Sequence, residues 1–149
     1  MKLDDTNREI IRKLSDGRKP YSVIADEIGV TENTVRARAN RMIEEGVLDI
    51  SGLVNPQKVP DMQVIIMGIK LSTLDLEKKA EEFYHLKGVV SVQIVTGRYD
   101  LIVQLVTSSC DGPDLLNFFR NELSKIRDVS DAETFVVYHS CGYRIPYVL

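Results

Sequence analysis

Residues 21–46 (YSVIADEIGVTENTVRARANRMIEEG) constrain this chain most, because two helix-length segments are joined there by only Gly29-Val30-Thr31. Val23, Ile24 and Ile28 are the apolar positions of the first segment. The second opens at Thr31, whose hydroxyl suits the free N–H groups of a first helical turn. It closes at Gly46, a residue type that accepts the left-handed conformation past a helix end. Val35, Ala39, Met42 and Ile43 recur at helical spacing and give this second segment one narrow apolar face. The pattern predicts a helix-turn-helix.

The other face of the second helix carries Asn33, Arg36, Ala37, Asn40 and Arg41. In a helix-turn-helix the second helix lies in the DNA major groove, with its N-terminal residues at base edges. Asparagine pairs bidentately with adenine, arginine with guanine, and an alanine methyl packs on a thymine methyl. Asn33, Arg36, Ala37 and Asn40 are therefore the candidate base readers. Thr31, Thr34, Arg38, Arg41 and Lys19, beside Arg18, are candidate phosphate contacts, which orient a protein without reading sequence. Arg38 has a second reading, a pair with a carboxylate such as Glu27 inside the domain.

Charge supports this only locally. The net charge is −3, residues 1–60 sum to zero, and residues 61–149 carry the deficit. Within Thr31–Arg41, however, three arginines face Glu32 alone. Phosphate attraction depends on such clustering rather than on the total.

A helix starting near Asp4 or Asp5, with Ile10, Ile11 and Leu14 as its stripe, is expected before this motif. Ser15-Asp16-Gly17 ends it, and Arg18-Lys19-Pro20 leads into the next. Residues 1–50 form the helix-turn-helix domain in this reading, 51–61 a linker strand closing at Asn55-Pro56, and 62–149 a second domain. There the period changes. Gln63–Leu71 is nearly continuous apolar sequence, a buried strand. Leu74–Leu86 is helical, with Leu76, Ala80, Phe83 and Tyr84 inward and Gly88 as the stop. Val89–Thr96 and Leu101–Val106 form a hairpin across Gly97-Arg98-Tyr99-Asp100. A helix from Pro113 and a strand over Val129–Tyr138 complete a βαββαβ, ferredoxin-like order. The fold class is α+β: a helix-turn-helix (winged-helix-like) domain, then a ferredoxin-like one. An apolar unpaired edge of a four-stranded sheet invites a second chain, so a homodimer is expected.

No apolar run approaches the roughly 20 residues of a membrane helix, and Met1-Lys-Leu-Asp-Asp-Thr lacks a signal peptide's apolar core. A cytoplasmic protein with no membrane partner is expected. Cys110 and Cys141 read as free thiols rather than a disulfide framework. His139-Ser140-Cys141 is the only close His/Cys pair, and no second pair stands at zinc spacing, so neither metal nor cofactor is expected. No nucleophile, base and orienting group converge, and no glycine loop cradles phosphate. An enzyme on a ferredoxin-like fold is thus the weaker alternative, and an architectural DNA-binding protein without ligand control the stronger one.

Taken together, Leu3-Asp4-Asp5, Ile10–Leu14, Ile24–Thr31, Thr34–Arg38, Glu44–Leu48, Val54-Asn55-Pro56 and Thr96-Gly97-Arg98-Tyr99-Asp100 resemble the Lrp/AsnC (leucine-responsive, feast/famine) transcription regulators over nearly the whole chain. The resemblance implies a sequence-specific regulator of double-stranded DNA, built of homodimers often stacked into octamers, with an amino-acid or related effector bound between dimers near the Gly-x-Tyr-Asp hairpin. By that resemblance Gly97, Arg98, Tyr99, Asp100, Asp131, Glu133 and Thr134 are candidate ligand residues. The family often has Arg-Thr-x-Thr before the last strand, whereas this chain has Ser130-Asp131-Ala132-Glu133-Thr134. Its tail, Cys141–Leu149, is apolar rather than lysine-rich, and suggests packing against the domain or its partner.

Overall fold

The computed structural model describes residues 3–108 and 114–147. The chain divides into two compact units at Ser51/Gly52.

The first unit is three helices, with no strand among its described residues. Helix α1 (Asp5–Lys13) is capped by Asp4, whose carboxylate accepts the Asn7 N–H at 2.7 Å. Its last turn tightens over Leu14–Asp16 and ends at Gly17, at φ +66°. Helix α2 (Tyr21–Ile28) starts directly after Pro20 and ends at Gly29, where φ is +71°. Helix α3 (Glu32–Glu44) is capped by Thr31, whose Oγ accepts the Thr34 N–H at 3.2 Å. The core of the unit is Ile10, Leu14, Ile24, Ala25, Val35, Ala39 and Met42. Two expected core residues lie outside it: Val23 and Ile43 are each 41 % exposed. The inward arc of α2 is Ile24-Ala25, and that of α3 is narrower than the sequence suggested.

The second unit holds a four-stranded antiparallel sheet, ordered β3-β4-β2-β5. Its strands are β2 (Met62–Leu71), β3 (Val89–Ile94), β4 (Leu101–Ser108) and β5 (Val129–Val136). Ile65, Met67, Ile69 and Leu71 of β2 share one face with Leu101, Val103 and Leu105 of β4. That face is covered by helix α4 (Leu76–Tyr84) and by a helical segment running from α5 (Leu115–Asn117) to Lys125, with Phe83 and Phe118 fully buried beneath. The second helical segment changes pitch, passing through a wide i→i+5 turn at Phe118–Glu122 into a tight 3₁₀ end at Leu123–Lys125. Its expected start at Pro113 lies outside the described residues, as does Cys110. Tyr84, expected inward, is 56 % exposed, and Leu74, outside α4, is 97 % exposed.

On the opposite face of the sheet, Val64 and Val106 are covered by Ile145. Ile145 belongs to β6 (Ile145–Pro146), which pairs antiparallel with β1 (Leu53–Val54). The apolar tail therefore packs against its own domain, and the linker strand joins the second unit. Tyr143 helps fasten this cover, its hydroxyl donating to Gln104 Oε1 at 2.8 Å. Among the described residues no helix is long and apolar enough to cross a membrane.

Because Phe83 fills the space between α4 and the sheet with no solvent exposure, Phe83→Ala is expected to cost about 3–5 kcal/mol. Denaturant unfolding of the second unit measures it.

Candidate functional site

The first unit shows how one face of α3 becomes available. Val35, Ala39 and Met42 are fully buried and lie on one stripe, so they fix the rotation of the helix about its axis. Asn33, Arg36, Ala37, Asn40 and Arg41 are left exposed on the surface away from that stripe. Thr31 and Thr34 sit at the N-terminus, their hydroxyl oxygens 2.9 Å apart. The first N–H groups of α3 add the positive end of the helix dipole there.

The cations of this region are held by carboxylates. Arg36 Nη2 donates to Glu32 Oε1 at 2.5 Å, and its guanidinium carbon stands 5.5 Å from the centre of the Tyr21 ring. Arg41 pairs with Glu45 at 2.8 Å. Lys19 pairs with Glu27, which also takes Lys13 at 2.8 Å. These two lysines hold the Glu27 carboxyl below its ordinary value.

Arg38, the candidate phosphate contact with a second, structural reading, is engaged within the domain. Its Nη1 donates to Asp4 Oδ2 at 2.6 Å and to Asn7 Oδ1 at 3.0 Å. Asn7 is 5 % exposed, so the contact satisfies a buried amide oxygen. The partner named from the sequence, Glu27, is engaged by the lysines instead. Arg38 thus ties α3 to the start of α1, and its hydrogen bond, with that of the Asn7 N–H, holds the Asp4 carboxyl below its ordinary value. A helical spacing could not reveal a partner 34 residues away.

In the second unit the hairpin residues are positioned through Asp100. Its carboxylate accepts the Leu71 N–H and the Lys70 ammonium, both at 2.8 Å. Its own N–H donates to Ile69 O at 2.9 Å. Those contacts hold the Asp100 carboxyl below its ordinary value, the Leu71 N–H first and Lys70 second. Gly97, at φ +116°, allows the chain to turn. Tyr99 lays its ring over Gly68, where an added Cβ would stand 2.7 Å from the ring. Arg98 lies 5.3 Å from the centre of that ring and 3.2 Å from Glu133 Oε2.

Glu133 is opposite Gly68 and Asp131 opposite Lys70 in the β2–β5 register. Gly68, Tyr99, Arg98 and Glu133 therefore converge, with Asp131 and Lys70 two residues along the same face. Asp131 turns one carboxylate oxygen onto the Ala132 N–H at 2.9 Å. Thr134 is the exception. It is opposite Met67, and strand alternation sends it to the helix-covered face, away from the hairpin group. Lys70, Gly68 and Tyr21 were missed from the sequence. Lys70 was legible as a charge ending an apolar strand, and Tyr21 as the single aromatic in residues 1–60.

Among the described residues no group of three metal-capable side chains forms. Cys141 is exposed, with its sulfur 3.6 Å from His139 Nε2.

Residues 3–43 match the AsnC-type helix-turn-helix domain, and residues 64–144 match the Lrp/AsnC ligand binding domain. The chain belongs to the Lrp/AsnC family. It is 35% identical to an uncharacterised HTH-type transcriptional regulator of Pyrococcus abyssi, over 92% of this chain and 87% of that one. Its fold is that of Escherichia coli AsnC, with TM-score 0.70 and 23% identity over 94% of this chain and 95% of that one. It is also that of a Neisseria meningitidis transcriptional regulator solved as an L-Met complex, with TM-score 0.73 and 18% identity over 99% and 96% of the two chains. This Lrp/AsnC protein is accordingly an HTH-type transcription regulator with a ligand-binding domain, in a family of DNA-binding proteins rather than enzymes.

The depressed Asp4 and Glu27 carboxyls give the first unit a signed pH dependence. Their stabilising contribution is fully present above the ordinary carboxylate values and is lost as pH falls through the lowered ones. Protection factors of α1 amides, which correct for the intrinsic pH dependence of exchange, are expected to fall over that acidic window, and Asp4→Asn to remove part of the dependence. Arg38→Ala should lower the melting temperature of the first unit, as thermal unfolding would measure, because it leaves the buried Asn7 amide oxygen without its donor.

Proposed function

We propose that α3 reads base edges in the major groove through Asn33, Arg36, Ala37 and Asn40. Thr31, Thr34, Arg41 and Lys19 contact phosphates, and Arg38 acts by holding α1 to α3. One observation carries this reading: the base-contact candidates share the exposed face of a helix whose rotation is fixed by Val35, Ala39 and Met42, each 0% exposed. Lys19 and Arg41 reach phosphate by exchanging Glu27 and Glu45 for it. The net gain per contact is smaller than for a free cation, which suits discrimination over indiscriminate binding.

The active form in this reading is a homodimer, the unit that an octamer would repeat, bound to a pseudo-palindrome with half-sites about one helical turn apart or a multiple of that. Residues 1–50 read DNA, 51–61 link, and 62–149 bind effector and assemble. The place of action is the cytoplasm. For the effector we propose an amino acid or related metabolite at the hairpin group formed by Gly97, Arg98, Tyr99, Asp100, Asp131 and Glu133. The L-Met complex of the Neisseria meningitidis neighbour supports that chemical class. Effector binding shifts the populations of assembled states and so the number of α3 helices engaged together.

Selection of duplexes from a random pool, with and without mixed amino acids, tests the reading. A discrete two-fold sequence is expected, with its recovery altered by amino acids; binding along any sequence would favour the architectural alternative. On the selected duplex, Arg36→Ala is expected to cost about 1–3 kcal/mol and to relax preference at one base pair per half-site. Equal losses on selected and random DNA would reassign Arg36 to phosphate. Gly68→Ala is expected to push Tyr99 from its seat and change the effector response in a mobility-shift titration, while operator binding without effector is retained.

A further inference from the structure

We propose that Tyr21 and Glu32 are positioning residues that hold the Arg36 guanidinium for base reading. The proposal rests on Arg36 being a base reader and adds what prepares it.

Arginine on an open helix face samples many rotamers and loses that freedom on docking, a cost that preorganisation removes. Arg36 is restrained from two directions. Glu32, one turn earlier on α3, takes Nη2 at 2.5 Å. Tyr21, on the preceding helix, presents its ring 5.5 Å from the guanidinium carbon. The ring is itself anchored. Tyr21 is the first residue of α2, Pro20 sets the backbone before it at φ −60°, and the side chain is half-buried against the core of the unit. Its placement therefore does not depend on Arg36.

The other arginines of α3 lack this arrangement. Arg38 and Arg41 pair with carboxylates, and among the described residues neither lies over an aromatic ring. A guanidinium has five N–H donors. Glu32 engages one nitrogen, and a bidentate guanine contact needs two donors, so the clamp is compatible with reading. A purely structural role for Glu32, favouring the helix dipole in the first turn, would not extend to base preference.

A double-mutant cycle on the full chain tests this. Affinities are measured for a duplex recovered by selection, for its single-base variant at the Arg36-dependent position, and for random DNA. Tyr21→Leu should lower the preference between the first two duplexes roughly threefold, leaving affinity for random DNA unchanged. Tyr21→Phe, which keeps the ring, should retain the preference. In an Arg36→Ala background Tyr21→Leu should add nothing. Glu32→Gln runs through the same cycle with an expected loss of roughly twofold, and carries the test if Tyr21→Leu fails to fold. A preference untouched by either change, or lowered equally with and without Arg36, overturns the proposal. If Arg36→Ala abolishes the preference while both positioning changes leave it intact, base reading stands and the clamp falls. If Arg36→Ala leaves the preference intact, both fall.

Discussion

The burial of Val35, Ala39 and Met42 is the constraint on which the DNA-reading half depends. These three side chains, fully enclosed by α1 and α2, stop α3 from rotating about its own axis. A helix so locked has only one surface left to offer a partner. The Thr31 cap and the left-handed Gly29 then fix where that helix begins. The packing acts at a distance: the residues that would meet DNA are placed by residues that never touch it.

The second unit uses a comparable device with charge in place of apolar packing. Asp100 joins the hairpin to β2 through a backbone N–H and the Lys70 ammonium. That contact sets Tyr99 against Gly68 and brings Arg98 to Glu133, across the β2–β5 pair. Glu133 thus sits beside the Arg98 guanidinium, while Lys70, opposite Asp131 in the register, is engaged by Asp100. With Asp100, Asp131 and Glu133 against Lys70 and Arg98, the group presents both signs to its surroundings with an acidic excess.

Much of this was legible in the sequence, for identifiable reasons. Helix starts and stops in the first unit were readable because Asp4, Thr31 and Gly29 do local backbone chemistry; α4, by contrast, ends at Tyr84 with His85 as its cap, short of the expected stop at Gly88. The β3–β4 hairpin followed from the alternation and turn residues of 89–106. What escaped was set by non-local pairing. The partner of Arg38 lies on another helix, and no periodicity connects Asp4 with it. Thr134 was grouped with Glu133 by the family resemblance, yet neighbours on a strand face opposite ways. Ile43 and Val23 fit an apolar period but stand at the margin of a small three-helix core, where surface outruns interior. The Tyr21–Arg36 contact needed both helices in place.

In the proposed mode of binding, α3 reads base edges from within the major groove. Guanine N7 lies in that groove and not in the minor one, so methylation interference at N7 across a selected duplex tests it directly. Methylation of a few guanines, repeated about a two-fold centre, is expected to block binding. Binding that tolerates methylation at every guanine of a duplex containing guanines in both half-sites would contradict that mode.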